Sequence, residues 1–179
     1  MKHNSFKVVW LIVIICVVLL SGLAYAQFKP GSEPDGFRGI EWGQDVSTVK
    51  DLIYVTTDSS FGGVDLYGRK DDELKMGGAK LEVIFYYFWK DKLSAVCIVT
   101  DGEMNWEYFK AIIFEKFGIG YQDNKFIEYY TWVGDKTLMG LEYDEVSERG
   151  VLWMFSAQMA ALQKEWEKEQ IKKGVEEGW

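Results

Sequence analysis

The seven residues Val83-Ile84-Phe85-Tyr86-Tyr87-Phe88-Trp89 contain no charged or amide side chain. Side chains on a β-strand alternate between two faces, so a strand of this composition has no side that prefers water. The run therefore predicts a central strand in a sheet covered on both faces. It reaches back to Ala79, and after the two-residue break Lys90-Asp91 comes a second strand signal over residues 92–100. Both segments are rich in β-branched and aromatic residues, and together they predict a hairpin.

The rest of the chain arranges itself around that hairpin. Residues 27–35 hold both prolines of the sequence, Pro30 and Pro34, with Gly31 and Ser32, and residues 27–36 read as a flexible leader. Phe37-Arg38-Gly39-Ile40-Glu41-Trp42-Gly43 follows as a short extended stretch. Asp45 is a suitable N-cap, and Val46, Val49, Leu52 and Ile53 recur at helical spacing, which predicts a helix over 46–53. Residues 54–72 alternate weakly around Gly62-Gly63 and predict one or two short strands. Asn105, or Asp101 a turn earlier, can cap a second helix with Trp106, Phe109, Ile112, Ile113 and Phe117 on one face and Gly118 placed to end it.

Three further strands are predicted over 126–133, 137–143 and 150–155, the first two joined at Gly134-Asp135. A charged helix over 157–173 follows, with Met159, Leu162 and Trp166 at spacings of three and four and Gly174 as its stop. The fold class expected is α+β. An antiparallel sheet is built from two helix-plus-three-strand units (45–100 and 104–156), with helices packed on the sheet and an extra C-terminal helix. The domain itself is expected over 37–156, and the charged helix and tail over 157–179.

The N-terminus reads as an export signal. Lys2, His3 and Lys7 precede an unbroken apolar run over 8–20, and Ala24-Tyr25-Ala26 supplies the small-x-small pattern of a signal-peptidase site. Residues 1–26 are thus expected to be a signal peptide cut between Ala26 and Gln27. The protein would then be periplasmic or secreted in a bacterium of Gram-negative type, the alternative being an uncut anchor in the inner membrane, the only membrane contact expected. Cys16 follows Ile15 inside the apolar run and lacks the setting of a lipidation site.

Composition matters mainly for what it excludes. Residues 27–179 carry 18 basic against 28 acidic residues, a net charge of −10, so no basic face for nucleic acid is expected. His3 is the one histidine of the chain, so the mature part has none. That removes Ser-His-Asp and Cys-His catalysis and nearly every common zinc or copper site. Cys97 is the single cysteine left after cleavage and lies in an apolar run, which predicts a buried small hydrophobe and no internal disulfide. No cofactor is expected.

Gly77-Gly78-Ala79-Lys80 lacks the spaced first glycine and the Ser/Thr of a phosphate loop and reads as a turn. Asp71-Asp72-Glu73 and Glu142, Asp144, Glu145, Glu148 lack the ladder of a calcium loop and read as solvated hairpin tips. Tyr86, Tyr87, Trp89, Tyr129, Tyr130 and Trp132 form aromatic stripes whose alternate members must point away from one face. The candidate partner-binding residues are Arg38 and Trp42, flanking the first helix, and Trp166 and Trp179 in the charged C-terminal segment. A plainer reading has Phe37, Ile40 and Trp42 anchoring the leader to the core, with Arg38 outside.

The segment 37–43, followed by Leu74-Lys75-Met76-Gly77-Gly78-Ala79-Lys80-Leu81, the aromatic hairpin and the helix ending Phe117-Gly118, resembles a group of uncharacterised secreted bacterial proteins that open with Phe-Arg-Gly-Ile-x-Trp-Gly. The resemblance covers residues 36–156 and implies a compartment, not an activity. In its helices followed by an antiparallel sheet the chain is also similar to the small lipoprotein of the outer-membrane assembly machinery and to related inhibitor proteins, a likeness of fold alone. The function expected is a non-enzymatic binding or interaction module for an envelope protein or peptide. A histidine-free carboxylate hydrolase of envelope glycan and a secreted hydrolase inhibitor are the alternatives. Mass spectrometry of the protein recovered from the envelope is expected to find Gln27 at the N-terminus; an intact Met1 would make residues 8–26 an anchor.

Overall fold

A computed structural model describes residues 27–178 of the chain; the expected signal peptide and Trp179 lie outside the described residues. The chain opens with a two-stranded ribbon, β1 (Gly36–Phe37) and β2 (Ile40–Glu41), and then makes one 3-10 turn at Val46–Thr48. β3 (Leu52–Asp58) and β4 (Val64–Arg69) follow, then a second small ribbon, β5 (Lys75–Met76) with β6 (Ala79–Lys80). The aromatic hairpin is β7 (Val83–Trp89) with β8 (Lys92–Asp101). After α1 (Glu103–Phe117) come β9 (Tyr129–Val133), β10 (Thr137–Asp144) and β11 (Arg149–Ser156), and finally α2 (Ala157–Gly178).

Seven of these strands make one antiparallel sheet in the order β3-β4-β7-β8-β11-β10-β9. β7 is flanked on both sides, as a strand without a polar face requires. Its even-numbered residues Ile84, Tyr86 and Phe88 point to one face, where α1 lays Trp106, Phe109, Ile113 and Phe117 against them and against Val96, Ile98, Leu152 and Met154. Burying side chains of this size stabilises by roughly 1.5–3 kcal/mol each, which makes this layer the main core. The other face is covered in part: Ala95, Cys97, Leu138, Trp153 and Phe155 form one cluster, and the start of α2 closes Met159 over Val64 and Trp89. Cys97 is buried and free, and burial pushes its thiol far above the usual range, so it stays protonated and inert.

The helix expected over 46–53 is not formed. Asp45 does cap, accepting from the Ser47 N–H at 3.0 Å, but only a single 3-10 turn follows. Three backbone bonds fix this stretch to the hairpin: Gly43 N–H to Leu93 O, Leu93 N–H to Gln44 O and Val46 N–H to Asp91 O. Asp51 then takes a left-handed φ of 62°, and Leu52-Ile53-Tyr54-Val55-Thr56-Thr57, rich in β-branched residues, enters the sheet as β3. The spacing that suited a helix also suits a turn followed by a strand, and sheet pairing decides between them.

Two helix termini also differ from expectation. α1 starts at Glu103 behind Gly102, with no side-chain cap, because Asp101 is paired to Arg149 in the sheet and Asn105 Oδ1 accepts from Lys80 N–H. α2 runs through Gly174 to Gly178. One exposed glycine costs a helix about 1 kcal/mol, too little to stop it where the neighbouring residues are good helix formers.

Residues 28–34 lie against the domain. Lys29 N–H donates to Phe117 O, the Phe28 and Phe117 rings meet edge to face at 5.8 Å, and Glu33 accepts from the backbone of Thr137 at 3.0 Å. Trp106, in the first turn of α1, sits directly above Gly150, where an added Cβ would lie 2.6 Å from the indole and 2.8 Å from Thr100 Cγ2. Gly150→Ala is therefore expected to destabilise by about 1–3 kcal/mol through overpacking, measured by denaturant unfolding. An unchanged midpoint would mean that Trp106 does not seat there.

Candidate functional site

Arg38 and Trp42, four positions apart, are engaged at different places. Trp42 is half-buried and donates its indole N–H to Thr137 Oγ1 at 2.7 Å, and that hydroxyl donates to Pro34 O at 2.6 Å. It fastens the leader to the β9–β10 turn. Arg38 and Gly39 both have positive φ (48° and 80°) and form the tight turn of the β1–β2 ribbon. The Arg38 guanidinium lies 3.3 Å from Asp72 Oδ1 and donates to Lys75 O at 3.1 Å. The plainer expectation of an Arg38 outside the fold is thus corrected, because a carboxylate whose side chain is only 7% exposed draws it in.

Asp72 accepts a second bond, from the Tyr86 hydroxyl at 2.7 Å. Burial first, and Asp72 second, push Tyr86 far above its usual range, so it remains a donor. Asp71 and Glu73 beside it are exposed, as solvated tip residues should be. With Arg38, Asp51 and Arg69 these three acids line a shallow concavity of about 340 Å³. Asp72 is the most enclosed carboxylate in it and is spent on structure. In the other acidic stretch, Asp144 Oδ1 accepts from the backbone of Val146 and Ser147 and closes the β10–β11 turn.

The aromatic stripes do not make an open stacking platform. Tyr86, Tyr130 and Trp132 are buried in the core beneath α1. Tyr87 points to the other face and packs on Trp153 at 5.3 Å, which stacks on Phe155. Trp89 is buried and donates to Phe61 O at 2.9 Å. Trp166 is half-buried, its ring seated on Gly62, where a Cβ would approach to 2.8 Å. That glycine, with φ +81°, is needed both for the turn and for the contact. Trp166 thereby forms one wall of a cleft of about 320 Å³ that also takes in Phe61, Asp65, Trp89, Lys90 and Asp91.

The feature that sequence reasoning missed is the open edge made by β3, a strand it expected only in part, within 54–72. β3 is an edge strand, bonded to β4 on one side, and Ile53, Tyr54 and Val55 are 54%, 56% and 49% exposed. Residues 52–57 contain no charge and no proline, although edge strands usually carry such residues to discourage pairing. A bulge between Tyr54 and Thr56 is its one irregularity. The opposite edge is closed: Tyr121 N–H donates to Thr131 O and Thr131 N–H to Tyr121 O, a bridge along the outer side of β9. The run Ile53-Tyr54-Val55-Thr56-Thr57 was the available signal, masked by the helical spacing that precedes it.

No family model, curated protein or solved structure matches this chain. Function must therefore be read from the geometry. Among the described residues no group of three or more His, Cys, Asp or Glu side chains is arranged to hold a metal ion, and no helix is long and apolar enough to cross a membrane.

Removing Asp72 leaves the Tyr86 hydroxyl without its acceptor and Arg38 with the Lys75 carbonyl but no carboxylate. Asp72→Ala is expected to destabilise by about 3 kcal/mol, the scale for breaking a largely buried charge pair, in urea unfolding. A loss below about 1 kcal/mol, the range of exposed pairs, would show that the network is solvated.

Proposed function

We propose that this chain is an exported, non-enzymatic protein-binding module of the bacterial envelope that docks an extended segment of its partner along β3. The observation that carries the reading is the contrast between the two edges of the sheet, β9 closed by its bridge and β3 left open with three large apolar residues exposed. A strand added at an open edge gains main-chain hydrogen bonds, and the alternation of its side chains provides selectivity. Export is supported by the basic start, apolar run and Ala24-x-Ala26 pattern, and the non-enzymatic reading by a mature part without histidine. The two meanders on either side of the β8–β11 seam are read as copies of one unit. In the first copy the residues expected as helix have become the turn and the open edge strand.

Photo-crosslinking in cells distinguishes this edge from the general surface. With p-benzoylphenylalanine replacing Val55, a discrete crosslinked partner is expected, and with the same group replacing Val146, which is 96% exposed at the β10–β11 tip, none. Equal crosslinking at both positions, or at neither, would remove β3 as the docking edge.

A further inference from the structure

We propose that the segment docked along β3 carries a lysine or arginine whose charged head enters the cleft between the end of β3, the β7–β8 turn and Trp166 of α2. This rests on the docking of an extended segment along β3 proposed above and names the chemistry of that segment. The cleft continues from the open edge, since Thr57, the sixth residue of β3, belongs to its lining. Thr57 Oγ1 donates to Asp65 Oδ1, which draws the Asp65 carboxylate toward the edge. A long side chain on a strand paired beside β3, about 4.8 Å away, therefore meets Asp65 without crossing the sheet.

The charge of the cleft is unbalanced. Asp65 and Asp91 line it against a single cation, Lys90, and among the described residues neither carboxylate has an ion pair. The fields of both acids also reach Tyr67 of β4, which is pushed above its usual range by burial first and then by Asp65 and Asp91. Lys90 Nζ lies 4.4 Å from the centre of the Trp89 ring, so the cleft already seats one cation against an aromatic wall, the environment that suits an incoming basic head. One further positive charge brings the cleft to neutrality, and a mature chain of net charge −10 attracts a basic segment at long range. A second copy of this chain is a poorer occupant, because Leu52–Asp58 contains no basic residue to offer.

The test uses a fluorescent peptide, Arg-Thr-Val-Thr-Val-Thr-Arg, and its twin with both arginines replaced by citrulline, which keeps the shape and removes the charge. Anisotropy is read with the protein recovered from the envelope. The arginine peptide is expected to bind saturably and the citrulline twin about tenfold more weakly, the scale of a hydrogen bond to a charged group. Asp65→Asn with Asp91→Asn should abolish that difference, and added salt should narrow it. Val55→Pro, placed at the bulge where β3 skips a partner, should weaken both peptides alike.

Equal binding of the two peptides, lost in Val55→Pro, would overturn the basic head while leaving β3 as the docking edge. Binding of the arginine peptide unaffected by Val55→Pro would overturn docking on β3 itself. A protein that sediments as a dimer and is dissociated by Val55→Pro would make the occupant a second copy and overturn the proposal.

Discussion

A strand with seven consecutive large apolar residues cannot leave a face in water, and most of the structure follows from covering β7. On one face the aromatic row of α1 is driven down onto Ile84, Tyr86 and Phe88; on the other the first turns of α2 close over Trp89. Pairing is needed on both sides of the strand as well, and β4 and β8 supply it. The backbone bonds from residues 43–46 to the β7–β8 hairpin then hold the N-terminal segment to the start of β8. From that point the chain has little room for a helix and a short path to the far side of β4, where it becomes β3.

The elements carried by strong local patterns were legible in the sequence. The hairpin, α1 with four of its five expected inward residues fully buried, and the last three strands lie close to where periodicity placed them. What escaped depended on partners distant in sequence. Helix 46–53 was lost to hydrogen bonds with residues more than forty positions away, and the pairing of Arg38 with Asp72 joins two loops that share no local signal. Gly174 shows the opposite error, a local stop signal overridden by the helix formers around it. The candidate site was legible only in part: Trp166 was noticed as an aromatic in a charged helix, but the cleft it walls needs Gly62, Asp65 and the β7–β8 turn, which only the fold brings together.

The two edges of the sheet are treated differently by the same chain. Beside β9 the segment after α1 returns to bond Thr131 on both its N–H and its carbonyl. Beside β3 no such strap exists among the described residues, and the strand combines exposed Ile53, Tyr54 and Val55 with an acidic, aromatic-walled cleft at one end. The bulge at Val55 breaks the regularity of the edge, which limits open-ended self-pairing without closing the strand to a short segment. A docking edge and a charge-selective cleft in line with it account for features that core packing alone would not require.

The openness of β3 is measured most directly by amide hydrogen exchange followed by NMR, residue by residue, across Leu52–Asp58. In an antiparallel edge strand the N–H groups aimed at the neighbouring strand are protected and those aimed outward are not. Slow exchange where β3 faces β4, interleaved with fast exchange on its outer side, is the pattern expected of a free docking edge. Slow exchange at every position of the strand would mean that the outer side is already paired, and would contradict it.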